Sequence, residues 1–405
     1  MSIGDLATKQ GIRGLMAVYS FLLSSIRSIA RRKRIRKGRE LDILLTGVFY
    51  SDNWIETHLR PMAMASICRK VMMVAEKRVP EIEKVEPIYP PNWLVKLVKS
   101  DVARLLTFAF IALRMRPDII GGFHLLVNGL LAVLLAKVSG SRSLYICGGG
   151  EREVLGGGYN TENRIFRKLG EPDKFVEREL LKAVAEFDIV ITMGSGAIRF
   201  FRERGVKSTF YVVPGGFDGK KFYPAQEDPK MDLILIGRLS PVKCVDRFLH
   251  AVRLLSEELP GIAAVVVGDG PSFGELKRLS QELGIENRVG FVGHQEDVGK
   301  WLRDAKVFVL TSDSEGLSQA MIQAMMCGLP AVVSNVGDLG DLVEDGKNGY
   351  LVPILDAENF AGRLRKLLLD KPLQKALGCS ARESASRYEN LAVGEQWGTI
   401  LNNLE

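Results

Sequence analysis

From Leu41 onward, short apolar runs alternate with longer stretches in which apolar residues recur every three or four positions. The runs "LDILLTG" (41–47), "VMMVAEK" (71–77), "VEPIYP" (85–90), the first half of "PDIIGGFHLL" (117–126), "SRSLYIC" (141–147), "DIVITMG" (188–194) and "STFYVVPGG" (208–216) read as strands. Between them, "WIETHLRPMAMASICRK" (54–70), a long stretch over 92–115, "LVNGLLAVLLAKVSG" (126–140), "FVERELLKAVAEF" (175–187) and "GAIRFFRERG" (196–205) carry the helical period. Near-continuous apolar strands separated by amphipathic helices predict a parallel sheet covered on both faces.

The polar, glycine- and proline-bearing segment 217–230 breaks this rhythm and reads as a linker. The alternation then restarts. "LILIGRL" (233–239), "AAVVVGDGP" (263–271), "RVGFVGH" (288–294), "KVFVLTS" (306–312) and "PAVVSN" (330–335) read as strands, with helices between and after them. The chain therefore divides into an extension over 1–40, a Rossmann-like domain over 41–216, the linker, a second Rossmann-like domain over 231–385, and a C-terminal helix over 386–405 able to cross back to the first domain. Two doubly wound α/β domains are expected to present their strand carboxyl ends to a central cleft.

Composition changes this picture little. The 405 residues are ordinarily globular, and five scattered cysteines without a CxxC pair indicate a reduced chain with no zinc site. Charge is more informative. Of the formal excess of +7, much is local: eight basic residues and no acid lie between Arg27 and Arg39. The remainder is near balance, so no nucleic-acid partner is implied. The run follows an apolar stretch of 13 residues, "GLMAVYSFLLSSI" (14–26), too short to span a bilayer. Two readings stand: an interfacial helix on an anionic membrane through residues 14–39, or a helix packed on the body with a solvated basic linker.

Four segments of the second half carry candidate chemistry. In "IGRLSPVK", Arg238 and Lys243 flank a tight turn before a helix, where free N–H groups and two cations make an anion site; a solvated surface pair is the other reading. "VVGDGP" gives a glycine turn at Gly268 but lacks the third glycine of a dinucleotide fingerprint, Phe273 standing in its place. "RVGFVGH" closes on Gly293 and His294, the latter a poor catalyst candidate. In "SDSEGLSQAMIQAMMCGLP" (312–330), Glu315 and Gly316 precede a helix starting near Ser318 and capped at Gly328, while Gln323 lies eight residues beyond Glu315. About 12 Å of helix separates two such positions, so they would contact different parts of one extended ligand.

In this order, these motifs resemble family 4 of the retaining glycosyltransferases, also called glycosyl transferases group 1, which have the GT-B fold. The resemblance is strong over roughly 231–353 and weaker over 41–216. It implies that Arg238 and Lys243 hold a donor diphosphate, with Gly237 and Gly268 in the same donor site. Glu315 would contact the transferred sugar, and Gly316, Leu317 and Ser318 would offer backbone N–H groups. Phe291, Gly293 and His294 would lie against the base. Gln323 stands where the family has a second glutamate, which binds the ribose. In the first domain His124, or Phe123 one residue earlier, fills the family's histidine position near the reacting sugar. Gly47 stands where the family often has two glycines. "CGGGERE" (147–153), with Gly149 and Glu151, could shape an acceptor loop.

The resemblance implies transfer of a sugar from a nucleotide diphosphate sugar to an acceptor hydroxyl with retention, as in glycan, polysaccharide or glycolipid synthesis. It requires no metal and no cofactor beyond the donor. The expected partners are that donor and a glycan or lipid-linked acceptor. The expected location is cytoplasmic, at the inner face of the membrane if residues 14–39 bind it. Alternatives are a sugar-nucleotide epimerase of the same fold, or a nucleotide-sugar-binding protein that has lost catalysis, for which Gln323 is the main argument.

Overall fold

The computed structural model describes residues 3–29, 38–49, 51–161, 163–353 and 356–404. Most of the basic run 27–39 lies outside them. The chain forms two compact units, one of residues 1–216 with 390–405, the other of residues 217–389.

The first unit runs α1 (Ile3–Ile29), β1 (Leu41–Thr46), α2 (Asp52–Met64), β2 (Cys68–Val74), β3 (Val85–Ile88), α3 (Asn92–Val98), α4 (Ser100–Met115), β4 (Ile119–Phe123), α5 (Leu130–Ser139), β5 (Arg142–Cys147), α6 (Lys174–Val184), β6 (Ile189–Thr192), α7 (Ser195–Glu203) and β7 (Thr209–Val212). Its seven strands are parallel in the order β3-β2-β1-β4-β5-β6-β7. The strand order reverses between β1 and β4, the switch point at which such sheets bind ligands.

Alternation along each strand sorts the helices into two layers. Leu44 and Ile120 meet Phe108 and Ala112 of α4 and Ala132 and Ala136 of α5. On that same face Tyr145 packs with residues of α1, α6 and α7. Ile43, Leu45, Ile119 and Phe123 point the other way, toward Ile55, Leu59 and Met62 of α2.

Several local expectations change. The stretch 92–115 is two helices, because Lys99 (φ 71°, ψ 162°) breaks the backbone between α3 and α4. The helix expected over 126–140 is regular only from Leu130, after an irregular turn at Leu126 and Val127. β2 starts at Cys68, inside the segment that reads as the end of a helix. The N-terminal helix does not stand apart from the body: Ile12, Met16 and Leu23 are buried in the first unit's core, and Arg13 binds Asp173, the N-cap of α6, at 2.8 Å. Among the described residues no helix is long and apolar enough to cross a membrane.

The second unit runs β8 (Met231–Ile236), α8 (Val245–Glu258), β9 (Ala264–Val267), α9 (Phe273–Glu282), β10 (Val289–Phe291), α10 (Val298–Arg303), β11 (Ala305–Leu310), α11 (Gln319–Met326), β12 (Ala331–Ser334), β13 (Gly349–Val352), α12 (Ala357–Leu369) and α13 (Lys371–Ala385). Six parallel strands follow the order β10-β9-β8-β11-β12-β13, so the switch point falls between β8 and β11. Leu233 and Leu235 pack under α8, α9 and α12, while Ile234 and Ile236 pack against α11 and α13. The segment that reads as a linker is partly core: Phe217 and Phe222 are buried in this unit. The last helix, α14 (Asn390–Asn402), belongs to the first unit, where Val393, Trp397 and Leu401 pack against α2. Residues 386–388, read with that helix, form a short turn in the second unit.

Candidate functional site

In the second unit the switch point collects the candidates. β8 ends into Gly237 and Arg238, and a short helical turn, Pro241–Lys243, leads into α8. β11 ends into Thr311 and Ser312, followed by Glu315 and the N-terminus of α11, which Ser318 caps by accepting from the Met321 N–H. Side chains and backbone staple the two loops together. The Thr311 hydroxyl donates to the Lys243 and Cys244 carbonyls at 3.1 and 2.9 Å. The Asp313 N–H donates to Val242 O at 2.9 Å. Arg247 donates to Thr311 O at 2.9 Å and pairs with Asp313 at 2.7 Å.

Held this way, Lys243 Nζ forms an ion pair with Glu315 Oε1. The Ser312 hydroxyl donates to the same oxygen at 2.8 Å. The cation, the carboxylate and the helix N-terminus thus lie where the neighbouring strands β8 and β11 end. Arg238 is exposed on the same turn.

Two glycines keep this geometry possible. Gly268 follows β9 at φ +137°, and a Cβ there would lie 1.9 Å from the Gly237 carbonyl oxygen. Its N–H donates to Gly293 O at 2.8 Å, which ties the turns after β9 and β10 together. Gly337, absent from the sequence-derived set, backs the Glu315 loop. At φ +57°, a Cβ on it would lie 1.7 Å from the Glu315 carbonyl oxygen. A glycine 22 residues downstream gives no local signal of that contact.

Phe291 packs on Phe273 with ring centroids 5.9 Å apart, whereas His294 is exposed. Gly316 is exposed, Leu317 is buried, and Gln323 is buried on the inner face of α11.

Residues 219–384, nearly the whole of this unit, match the family described as Glycosyl transferases group 1. The match covers the second unit and none of the first. N-acetyl-alpha-D-glucosaminyl L-malate synthase of Bacillus anthracis is 32% identical over 182 residues, 45% of this chain and 47% of the relative. UDP-Gal:alpha-D-GlcNAc-diphosphoundecaprenol alpha-1,3-galactosyltransferase of Escherichia coli is 32% identical over 177 residues, 40% of this chain and 46% of the relative. The chain thus spans less than half the length of these curated relatives.

Solved structures extend the likeness in fold to both units. Anabaena HepE in complex with UDP-glucose is 20% identical, with a TM-score of 0.68 over 90% of this chain and 100% of that one. Sucrose-phosphate synthase of Thermosynechococcus elongatus is 19% identical, with a TM-score of 0.72 over 90% and 99%. Beside its group 1 domain, then, the chain has a first Rossmann-like unit, and the fold class is GT-B.

In that first unit, Phe123 is fully buried and packs beside Gly47, while His124 is partly exposed at the end of β4. His124 adopts φ 62°, an unfavourable conformation for a residue with a Cβ. Its anchor is Glu153, not Glu151. Glu151 is exposed, whereas Glu153 is buried. The Glu153 carboxylate meets four donors: His124 Nδ1 at 2.9 Å, Gly149 N at 2.6 Å, the Tyr145 hydroxyl at 2.9 Å, and Leu125 N. Burial alone would push the Glu153 carboxyl up; the His124 ring and the hydrogen bonds from His124, Leu125 and Gly149 outweigh it and hold it below the usual carboxylate range. An ionised carboxylate only accepts, so His124 carries a hydrogen on Nδ1.

Trp54 stacks nearly parallel to His124, with centroids 5.9 Å apart and planes at 10°. Ser51 caps α2 by accepting from Trp54 N at 3.2 Å, so the helix start places that ring. Sequence reasoning missed Trp54, His58 and Glu153. Trp and His at i and i+4 on a helix were the available signal for the first two.

His58 is buried against Trp54, 4.5 Å between centroids, and its Nε2 has no hydrogen-bond partner among the described residues. Burial, then the neighbouring His124, lowers its pKa from 6.5 to about 3. The folded protein therefore holds His58 neutral. Its contribution to stability is complete above the unfolded value of 6.5 and erodes as pH falls from there toward about 3. The erosion approaches about 1.4 kcal/mol per pH unit. The expected result is that His58→Leu flattens the fall in Tm between neutral and mildly acidic buffer. Equal falls in both proteins would assign the acid sensitivity elsewhere.

Proposed function

We propose that the protein is a retaining glycosyltransferase, moving a sugar from a nucleotide diphosphate sugar to an acceptor hydroxyl. The observation that carries this reading is the Lys243–Glu315 pair at the switch point of a group 1 domain, beside Arg238 and the N-terminus of α11. In this reading Lys243 and Arg238 hold the diphosphate. Gly237, Gly268, Gly316, Leu317 and Ser318 supply close backbone approach, and Glu315 takes the sugar hydroxyls. Phe291, Gly293 and His294 flank the base.

As the anomeric C–O bond to the diphosphate breaks, negative charge grows on the leaving oxygen. Fixed cations and helix N–H groups stabilise that charge more than they stabilise the ground state. The acceptor oxygen bonds to the anomeric carbon on the same face. Its proton passes to the leaving phosphate oxygen, so the step balances without a metal or a further cofactor. The first unit takes the acceptor. His124, oriented by Glu153, addresses the sugar through Nε2, and Gly47, Gly149 and Glu151 belong to the surrounding loops.

The E. coli relative's name specifies a diphosphoundecaprenol-linked acceptor. A glycan or lipid-linked acceptor is accordingly our expectation here. We place the protein on the cytoplasmic face of an anionic membrane, met through residues 14–39. The direct test is incubation with UDP-, GDP- and ADP-sugars and a panel of glycan and lipid acceptors. A new α-linked glycoside together with free nucleoside diphosphate supports the reading. An isomerised donor with no glycoside would make the protein an epimerase.

Gln323 favours a second reading, a binding protein without turnover. On the transferase reading, Gln323→Glu strengthens the bond to the ribose by about 1 kcal/mol, the difference between charged and neutral hydrogen bonds, or roughly fivefold in Kd. Because Gln323 is buried, the same change should lower the Tm of the ligand-free protein. Calorimetry with the nucleotide and a thermal melt check both effects. If the variant instead switched on an inactive protein, the binding-protein reading would hold.

A further inference from the structure

Helix α4 is apolar on more than its buried side. Ala103, Phe108 and Ala112 face the core, yet the segment 105–113, "LLTFAFIAL", contains no charged residue at all. Its outer side exposes Leu106 and Phe110, the latter 69% accessible. α3, which packs on α4, has no buried residue and exposes Trp93 at 67% and Leu97 at 72%. A helix of this composition gains nothing from folding against water and reads as half of a contact. α1 repeats the pattern: its inner side is core, while Val18 and Phe21, the latter 70% accessible, point outward. α5 packs against both α4 and α1 on the same face of the sheet, so the two exposed stripes flank a common helix.

Charge selects the occupant. Residues 92–116 contain five basic side chains, Lys96, Lys99, Arg104, Arg114 and Arg116, and one acid, Asp101. Arg104 turns inward to Glu76, but Lys96, Lys99 and Arg114 are exposed along the apolar stripe. In sequence α1 runs straight on into the basic run from Arg27 to Arg39. A two-fold contact with a second copy would set these positive groups against themselves. An anionic lipid surface neutralises them and accepts the aromatic and aliphatic tips at the headgroup–acyl boundary.

We infer that α3, α4 and the outer side of α1 form one surface that seats the first unit on an anionic bilayer, with Trp93, Leu97, Phe110 and Phe21 entering the interface. This extends the membrane contact beyond residues 14–39 to a helix pair more than fifty residues further along the chain. It stands independently of the transferase reading, because the readout is binding rather than turnover.

The test is flotation of the full chain with vesicles of phosphatidylglycerol and phosphatidylcholine, and with phosphatidylcholine alone. Wild type should float with the anionic vesicles, less so in high salt, and poorly with the neutral ones. The double variant Leu97→Glu/Phe110→Glu should lose at least about tenfold in partitioning. Both side chains are exposed, so its Tm and its shift by added UDP should match wild type. Wild-type failure to float, or equal flotation of the variant, overturns the inference. So does a wild-type dimer in sedimentation that the variant converts to monomer, since a second copy would then be the occupant.

Discussion

Lys243→Ala should reduce sugar transfer about 10²–10³-fold in kcat, roughly 2.7–4 kcal/mol of lost transition-state stabilisation. The reason is positional. Lys243 is held at the strand end by its own carbonyl, which accepts from Thr311, and its Nζ reaches Glu315. A donor diphosphate would bring negative charge to that ammonium, and the charge on the leaving oxygen rises as the glycosidic bond breaks. An interaction that strengthens on the way to the transition state appears in kcat, not only in KM. The folded state should tolerate the change. Glu315 keeps the Ser312 hydroxyl at 2.8 Å, and the Lys243 side chain is partly exposed, so water can replace much of the lost pair. Steady-state kinetics with a thermal melt on the same sample separates the two effects. Turnover within a few-fold of wild type in a folded variant would remove Lys243 from the centre of the mechanism.

Glu153→Ala should be the most destabilising single change in the first unit's candidate site, by about 1–3 kcal/mol for each buried donor it leaves unsatisfied. The carboxylate accepts from His124, Gly149, Tyr145 and Leu125, and its removal leaves the buried Tyr145 hydroxyl and Leu125 N–H without their acceptor. Glu153→Gln should recover little, since the amide NH₂ would face donors where the carboxylate offered a second oxygen. The pH dependence has a definite sign. The folded carboxyl titrates below its ordinary value near 4.5, so the stabilisation is present above that pH and is lost as pH falls through the folded value. Denaturant melts of wild type and variant across the acid range should converge as Glu153 becomes protonated. A constant difference down to the lowest pH would show that the carboxylate's charge is not what holds the loop. The His58 effect begins at higher pH, so the two can be distinguished.

The candidate loops of the second unit were legible in the sequence because their elements are local. "IGRLSPVK" is a strand, a turn and a helix start. "SEGLSQAMIQA" is a loop and a capped helix, with Ser318 and Gly328 where capping chemistry puts them. The apolar runs announced their strands, and the parallel sheets followed from strand–helix alternation. Where local signals competed, the reading slipped. Lys99 is an unremarkable residue for a helix, yet its positive φ divides α3 from α4.

What the chain by itself determined is the two-unit α/β plan, the switch-point loops and the family that the second unit matches. Tertiary structure decided which distant groups share a place. Glu153 rather than Glu151 reaches His124, because the turn after β5 buries one carboxylate and leaves the other in water. Gly337 is confined by the Glu315 carbonyl, a contact between separate strand ends. The N-terminal helix hides Met16 and shows Phe21, a division the apolar run did not reveal. Periodicity and capping act over a few residues and are written in sequence. Partnership across a sheet depends on register and layer order, which exist only once the chain has folded.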